Sequence, residues 1–141
     1  CFFDDSFGSD GKKGCLRLDG NFSNGGVYVA ATKKLKDINA TSLKFQIKAP
    51  GFESIGLRIG DGTGQCFQRN IQIENKDAWQ SVEIPCFTAG SNNISFWGGA
   101  EDGFWHPPIS GISICMHSVK NGEKKGFIWL DDIEVQTTGT K

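Results

Sequence analysis

Two histidines, one tyrosine and four tryptophans are the scarce, chemically informative side chains of this sequence. A Ser/His/Asp or Cys/His nucleophile would have to use His106 or His117. His106 precedes Pro107-Pro108 in a loop, and His117 ends a strand on the face opposite Ile114 and Met116. Neither has a partner at a recognisable spacing, and there is no Gly-x-Ser-x-Gly elbow, phosphate-binding loop or His-Glu-x-x-His. Glycoside hydrolysis needs two carboxylates at a set separation. Asp131 and Asp132 are adjacent on a strand, so they point to opposite faces and form no such pair. The chain therefore reads as non-catalytic. Asp131 shares parity with Trp129, Ile133 and Val135 and is expected to face inward. A lone carboxylate there costs several kcal/mol. It needs a cation, a Lys or Arg, or backbone donors; the alternative is an ordinary solvated acid at a strand end.

Flat rings with amide neighbours have a different use. Indole and phenol rings stack on the apolar C–H faces of sugars, and flanking polar groups bond the hydroxyls. Trp79 begins a Trp-x-x-Val-x-Ile strand and reads as packing, and Trp129, among apolar neighbours, as core. Trp97 precedes Gly98-Gly99 and stands at the core or the rim. Trp105 lies in a loop bounded by Gly103 and Pro107-Pro108, together with Asp102, and is expected to touch a ligand or to fold back as a plug. Tyr28 alternates with Val27 and Val29, so it points out of the core and is a candidate stacking ring. Gln46, Arg58, Gln68, Asn70 and Gln72 all oppose apolar positions. On neighbouring strands they would form one face of amides and a guanidinium, suited to hydroxyls; a plain solvated face is the other reading.

The elements that must position these groups are strands. Leu43, Phe45 and Ile47, then Ile55, Leu57 and Ile59, then Ile112, Ile114 and Met116 alternate with small or polar residues. Ser23 to Gly26, Asp61 to Gly64, Gly90 to Asn93 and Lys120 to Glu123 are turn-forming stretches between such runs. No window carries a helical period, and Thr32 to Asn39 is expected to hold one helical turn at most. About ten short strands over 141 residues predict an all-β antiparallel sandwich or barrel forming one domain, 1–141, with little or no helix.

Composition narrows the partners. Fifteen Lys plus Arg against sixteen Asp plus Glu exclude a nucleic-acid binder driven by bulk charge. No run approaches the ~18 apolar residues of a membrane helix. Nineteen glycines and only four prolines indicate many turns and bulges. Cys1, Cys15, Cys66, Cys86 and Cys115 show no Cys-x-x-Cys spacing, so a zinc knuckle is not expected. Two disulfides with one thiol left over, or five free thiols, both stay open. The non-Met start and polar tail are read as a module excised from a larger secreted polypeptide, with a processed secreted protein as the alternative.

Three segments carry a family likeness: Phe2-Phe3-Asp4-Asp5-Ser6-Phe7 before a Gly-rich turn, Asp77-Ala78-Trp79 leading into Val82-Glu83-Ile84, and Gly126-Phe127-Ile128-Trp129-Leu130-Asp131-Asp132-Ile133-Glu134-Val135. Their order resembles the jelly-roll carbohydrate-binding modules of the galactose-binding-like superfamily. The resemblance implies a jelly-roll sandwich and a structural Ca²⁺. Asp131, Asp4 or Asp5, and carbonyls of the Ser9–Gly14 loop would hold that ion, although Lys12 and Lys13 sit in the same loop. It also implies non-catalytic binding of a polysaccharide on behalf of an attached degrading enzyme. The expected ligand contacts are Trp105, Trp97, Tyr28, Arg58, Gln68, Asn70 and Asp102, and the protein is expected to be secreted and monomeric, without nucleic-acid or membrane partners. The alternatives are an extracellular adhesion or protein-interaction sandwich and a small jelly-roll glycan lyase, the latter disfavoured by the scarcity of His and Tyr.

Overall fold

Period-two alternation becomes two layers. The computed structural model describes residues 1–85, 94–118 and 124–137. Cys86 and the expected turns at 90–93 and 120–123 lie outside the described residues. Ten strands follow in chain order: β1 (Phe2–Phe7), β2 (Lys13–Asn21), β3 (Tyr28–Ile38), β4 (Ala40–Lys48), β5 (Ser54–Gly60), β6 (Cys66–Gln72), β7 (Gln80–Pro85), β8 (Ser95–Trp97), β9 (Ile109–His117) and β10 (Lys125–Thr137). They form two five-stranded antiparallel sheets, ordered β1-β2-β10-β4-β7 and β3-β9-β5-β6-β8. The all-β sandwich fits a jelly roll, and no helix occurs among the described residues.

The facing sides of the sheets make the core. Leu43, Phe45 and Ile47 of β4 meet Ile55, Leu57 and Ile59 of β5, Phe67 of β6 and Ile114 and Met116 of β9. All are essentially removed from water, each stabilising by roughly 1.5–3 kcal/mol. With these positions inward, the alternate residues of the same strands must line the two outer faces.

Two expectations about the chain's path change here. The Thr32–Asn39 stretch is strand up to its last residue: β3 runs to Ile38 as the edge of its sheet, with Lys33, Lys34 and Lys36 exposed. A register shift against β9 falls between Lys34 and Ile38, where Asp37 has φ 56°. In β10, Ile128 and Leu130 fill the core, so Trp129 and Asp131 face outward. A bulge between Asp131 and Glu134, with Asp132 at φ 48°, reverses the alternation, and beyond it Val135 packs inward. Trp129 is therefore not core, and Asp131 does not face inward.

Candidate glycan-binding face

The outer face of the β3-β9-β5-β6-β8 sheet collects the polar and aromatic residues. Register places Tyr28 opposite His117, Arg58 between Ser113 and Gln68, Gly56 opposite Asn70, Cys66 opposite Trp97, and Gln68 opposite Ser95. Tyr28 is 49% exposed and Trp97 41%, so both rings are accessible to a ligand. Arg58 lies between them, its guanidinium carbon 4.8 Å from the Tyr28 ring centroid and 5.5 Å from that of Trp97. Its Nε donates to Gln68 Oε1 at 2.8 Å. Stacking on both rings holds the guanidinium in place.

Below this arginine the face is tightly closed. A Cβ on Gly56 would come within 2.6 Å of His117 Nε2, so only glycine lets the imidazole lie across β5. That Nε2 is buried and has no hydrogen-bond partner among the described residues. Burial, and then the Arg58 charge, push the His117 pKa down, which keeps the ring neutral. The Cys66 and Cys115 thiols beneath are pushed up chiefly by burial and stay protonated and inert. Cys1, Cys15, Cys66 and Cys115 all carry free thiols.

Of the expected ligand contacts, Tyr28, Arg58, Gln68, Asn70 and Trp97 come together on this face, joined by Gln72 at its end. Gln46 does not join them. It lies on β4 in the other sheet, paired with Ser81 and Asp131. Trp105 also turns away from the face. Its ring packs against the buried Phe67, centroids 5.9 Å apart, and adds to the core. Asp102 is occupied within its own loop: Phe104 N donates to Oδ1 at 2.9 Å and His106 Nε2 lies 2.9 Å from Oδ2.

The residue that organises this end of the sandwich is marked in the sequence only as part of a turn. Asp61, fully buried in the β5–β6 turn, accepts from Thr63 N, Thr63 Oγ1 and Gln65 N on one oxygen. Its other oxygen accepts from Gln65 Nε2 and His106 N. Desolvation raises the Asp61 pKa, but the hydrogen bonds together outweigh it and leave the carboxyl below its ordinary value. Fully buried Gln65 continues the network, donating to Phe104 O at 2.8 Å and accepting from Gly103 N at 2.9 Å. Gly99, at φ 54°, has no room for a side chain against Gln65 N and Thr63 Oγ1. The 98–108 loop is thereby tied to the turn, and the loop continues directly from Trp97. A signal for this was present only as Asp61-Gly62-Thr63-Gly64, which reads as an ordinary turn.

The expected Ca²⁺ ligands lie on the opposite outer face. Asp4 is paired with Cys15 across β1 and β2, and the charges of Asp4 and Asp131 both bear on that thiol. Asp131 Oδ2 accepts from Ser9 N and Ser9 Oγ, its Oδ1 from Asp132 N, and Asp4 Oδ2 from Trp129 Nε1. In the neighbouring loop the Lys12 and Gly8 carbonyls accept from Gly8 N and Gly11 N. Among the described residues no three His, Cys, Asp or Glu side chains form a metal cradle. These oxygens already accept hydrogen bonds from the chain itself. Ser9 and Asp132 N supply the donors that Asp131 needs. A cleft of about 840 Å³ opens on this side near Arg17, Asp19, Lys125 and Phe127.

No family model and no curated protein matches the chain. Solved structures do share its fold. An exo-β-agarase aligns over 99% of this chain and 23% of its own, at 18% identity and TM-score 0.66. PfGH50B aligns over 88% of this chain and 21% of its own, at 18% identity and TM-score 0.57. The family 11 carbohydrate-binding module of the cellulosomal cellulase Lic26A-Cel5E of Clostridium thermocellum aligns over 94% of this chain and 80% of its own, at 16% identity and TM-score 0.62. The chain thus spans less than a quarter of the first two proteins and most of the third. What it shares with all three is the fold, a two-sheet jelly-roll sandwich.

Proposed function

We propose that this domain binds a glycan chain, without cleaving it, on the outer face of the β3-β9-β5-β6-β8 sheet. The carrying observation is the placement of Tyr28 and Trp97, both half-exposed, on either side of Arg58 among side-chain amides. The rings stack on sugar faces, while Gln68, Asn70 and Ser95 exchange hydrogen bonds with hydroxyls. Because both rings are already held, little side-chain entropy is lost on binding. Likeness of fold to a carbohydrate-binding module supports this reading. Trp105 and Asp102 act beneath the face, as a plug and a loop tie.

A larger secreted polypeptide carrying a degrading enzyme would gain from such a domain by raising that enzyme's effective concentration on its polymer. The test is glycan-array binding by the domain, followed by a search for released reducing ends or unsaturated products. Binding without product is expected, and Trp97→Ala should weaken it roughly thirtyfold, the loss of one ~2 kcal/mol anchor. Full affinity in Trp97→Ala and Tyr28→Ala alike, with normal melting, would place the site elsewhere. Product release would return the lyase reading.

A further inference from the structure

Among the described residues, the face described above contains a cation without a counter-charge. Arg58 is half-buried, yet among the described residues no carboxylate forms an ion pair with it. The outward residues around it in the register are Tyr28, Ala30, Thr32, Ser113, Cys115, His117, Gly56, Gly60, Cys66, Gln68, Asn70, Ser95 and Trp97, with no Asp or Glu among them. Its Nε is satisfied by Gln68, whereas no protein acceptor among the described residues meets its two terminal nitrogens. The planar group is pinned between two rings, so the fork that binds a carboxylate or sulfate through two parallel hydrogen bonds is preorganised.

We propose that the glycan bound on this face is acidic, and that a carboxylate or sulfate ester on it seats on the Arg58 fork between Tyr28 and Trp97. This inference rests on the glycan-binding reading and names its ligand class. A half-desolvated cation gains most from an ionic partner brought by the ligand, and charge-assisted hydrogen bonds are about twice as strong as neutral ones. Sugar rings flanking the anionic group would reach the two aromatic rings.

The experiment is titration calorimetry with two matched pairs. One is an oligouronate and its carboxyl-reduced counterpart; the other is a sulfated galactan oligosaccharide and its desulfated counterpart. One acidic member should bind about tenfold or more tighter than its neutral twin, the value expected of one charged hydrogen-bond pair. The pair that shows the preference distinguishes carboxylate from sulfate. The preference should shrink as salt rises. Arg58→Gln should abolish it with the melting temperature little changed. Arg58→Lys, which keeps the charge and loses the fork, should keep only part of it. Equal affinity for acidic and neutral members in both pairs overturns the inference and leaves the glycan reading standing, as does an undiminished preference in either variant. An array with no bound glycan of any kind overturns both.

Discussion

The two outer faces of the sandwich carry the same device put to opposite ends. On the β1-β2-β10-β4-β7 sheet, Arg17 stacks 4.0 Å over Phe127, and Phe127 meets Trp129 edge-on. On the other sheet, Arg58 stacks on Tyr28 and Trp97. The difference lies two residues along each strand, where side chains return to the same face. Arg17-Leu18-Asp19 supplies a carboxylate 2.9 Å from Nη2, and Asp4 stands 3.9 Å from Nη1. Arg58-Ile59-Gly60 supplies nothing, and Gln68 answers with an amide. A stacked arginine with its own acids closes a surface, whereas one without them leaves a place for a partner. The cleft beside Arg17 illustrates the closed case: its rings are Phe52, which is buried, and Phe127, which the guanidinium covers.

Breaking the support of the open face should have the largest effect. Asp61→Ala leaves buried donors from Thr63, Gln65 and His106 without an acceptor and should cost about 3 kcal/mol or more. Denaturant unfolding measures that loss. Glycan binding should fall with it, because the tied loop continues from Trp97; a loss below about 1 kcal/mol would show that Asp61 does not hold the loop. Exchanging the character of the two faces comes next. Ser113→Asp places a carboxylate opposite Arg58 and should weaken acidic-glycan binding about tenfold, the loss of one charged hydrogen-bond pair. Asp19→Asn removes one of the two acids beside Arg17 and leaves Asp4 3.9 Å from Nη1, so it should change stability by less than about 1 kcal/mol and create no glycan site. Calorimetry on both variants decides whether the acid at this position is what separates the faces.

The smallest effect is in pH dependence. The His117 pKa is depressed in the fold, so below the ordinary histidine value of ~6.5 the unfolded chain takes up a proton that the folded chain resists. The stability associated with neutral His117 is therefore present above that value and is lost as pH falls toward the folded pKa. His117→Gln should flatten this part of a melting-temperature profile; an identical slope in both proteins would show that the imidazole is not the group responsible.

Much of the open face was legible from alternation alone. Ile55, Leu57 and Ile59 inward sends Arg58 outward, and Phe67 and Ile71 inward sends Gln68 and Asn70 to the same side. The rest depended on distances along the chain that periodicity does not carry. Gln46 has the right parity but belongs to the other sheet, because strand neighbours are set by topology. In Phe127-Ile128-Trp129-Leu130 both parities are apolar, so the inward set was ambiguous, and the later bulge at Asp132 made Ile133 and Val135 misleading guides. Alternation cannot choose between the ligand and plug readings of Trp105, because its loop is anchored by Asp61, over forty positions earlier. Tyr28 and Trp97 were each visible as outward or rim aromatics, but only the fold brings both rings to one guanidinium.

The lysines of β3 have a consequence at high protein density. An edge strand offers unpaired backbone groups to any other strand, and growing sheets begin at such edges. Lys33, Lys34 and Lys36 stand exposed on that edge, and the register shift after Lys34 bends it out of line. A second copy approaching edge to edge meets like charge on a strand that cannot pair along its full length. Pairing of crowded copies through this edge is thereby disfavoured, a property independent of whatever the open face binds.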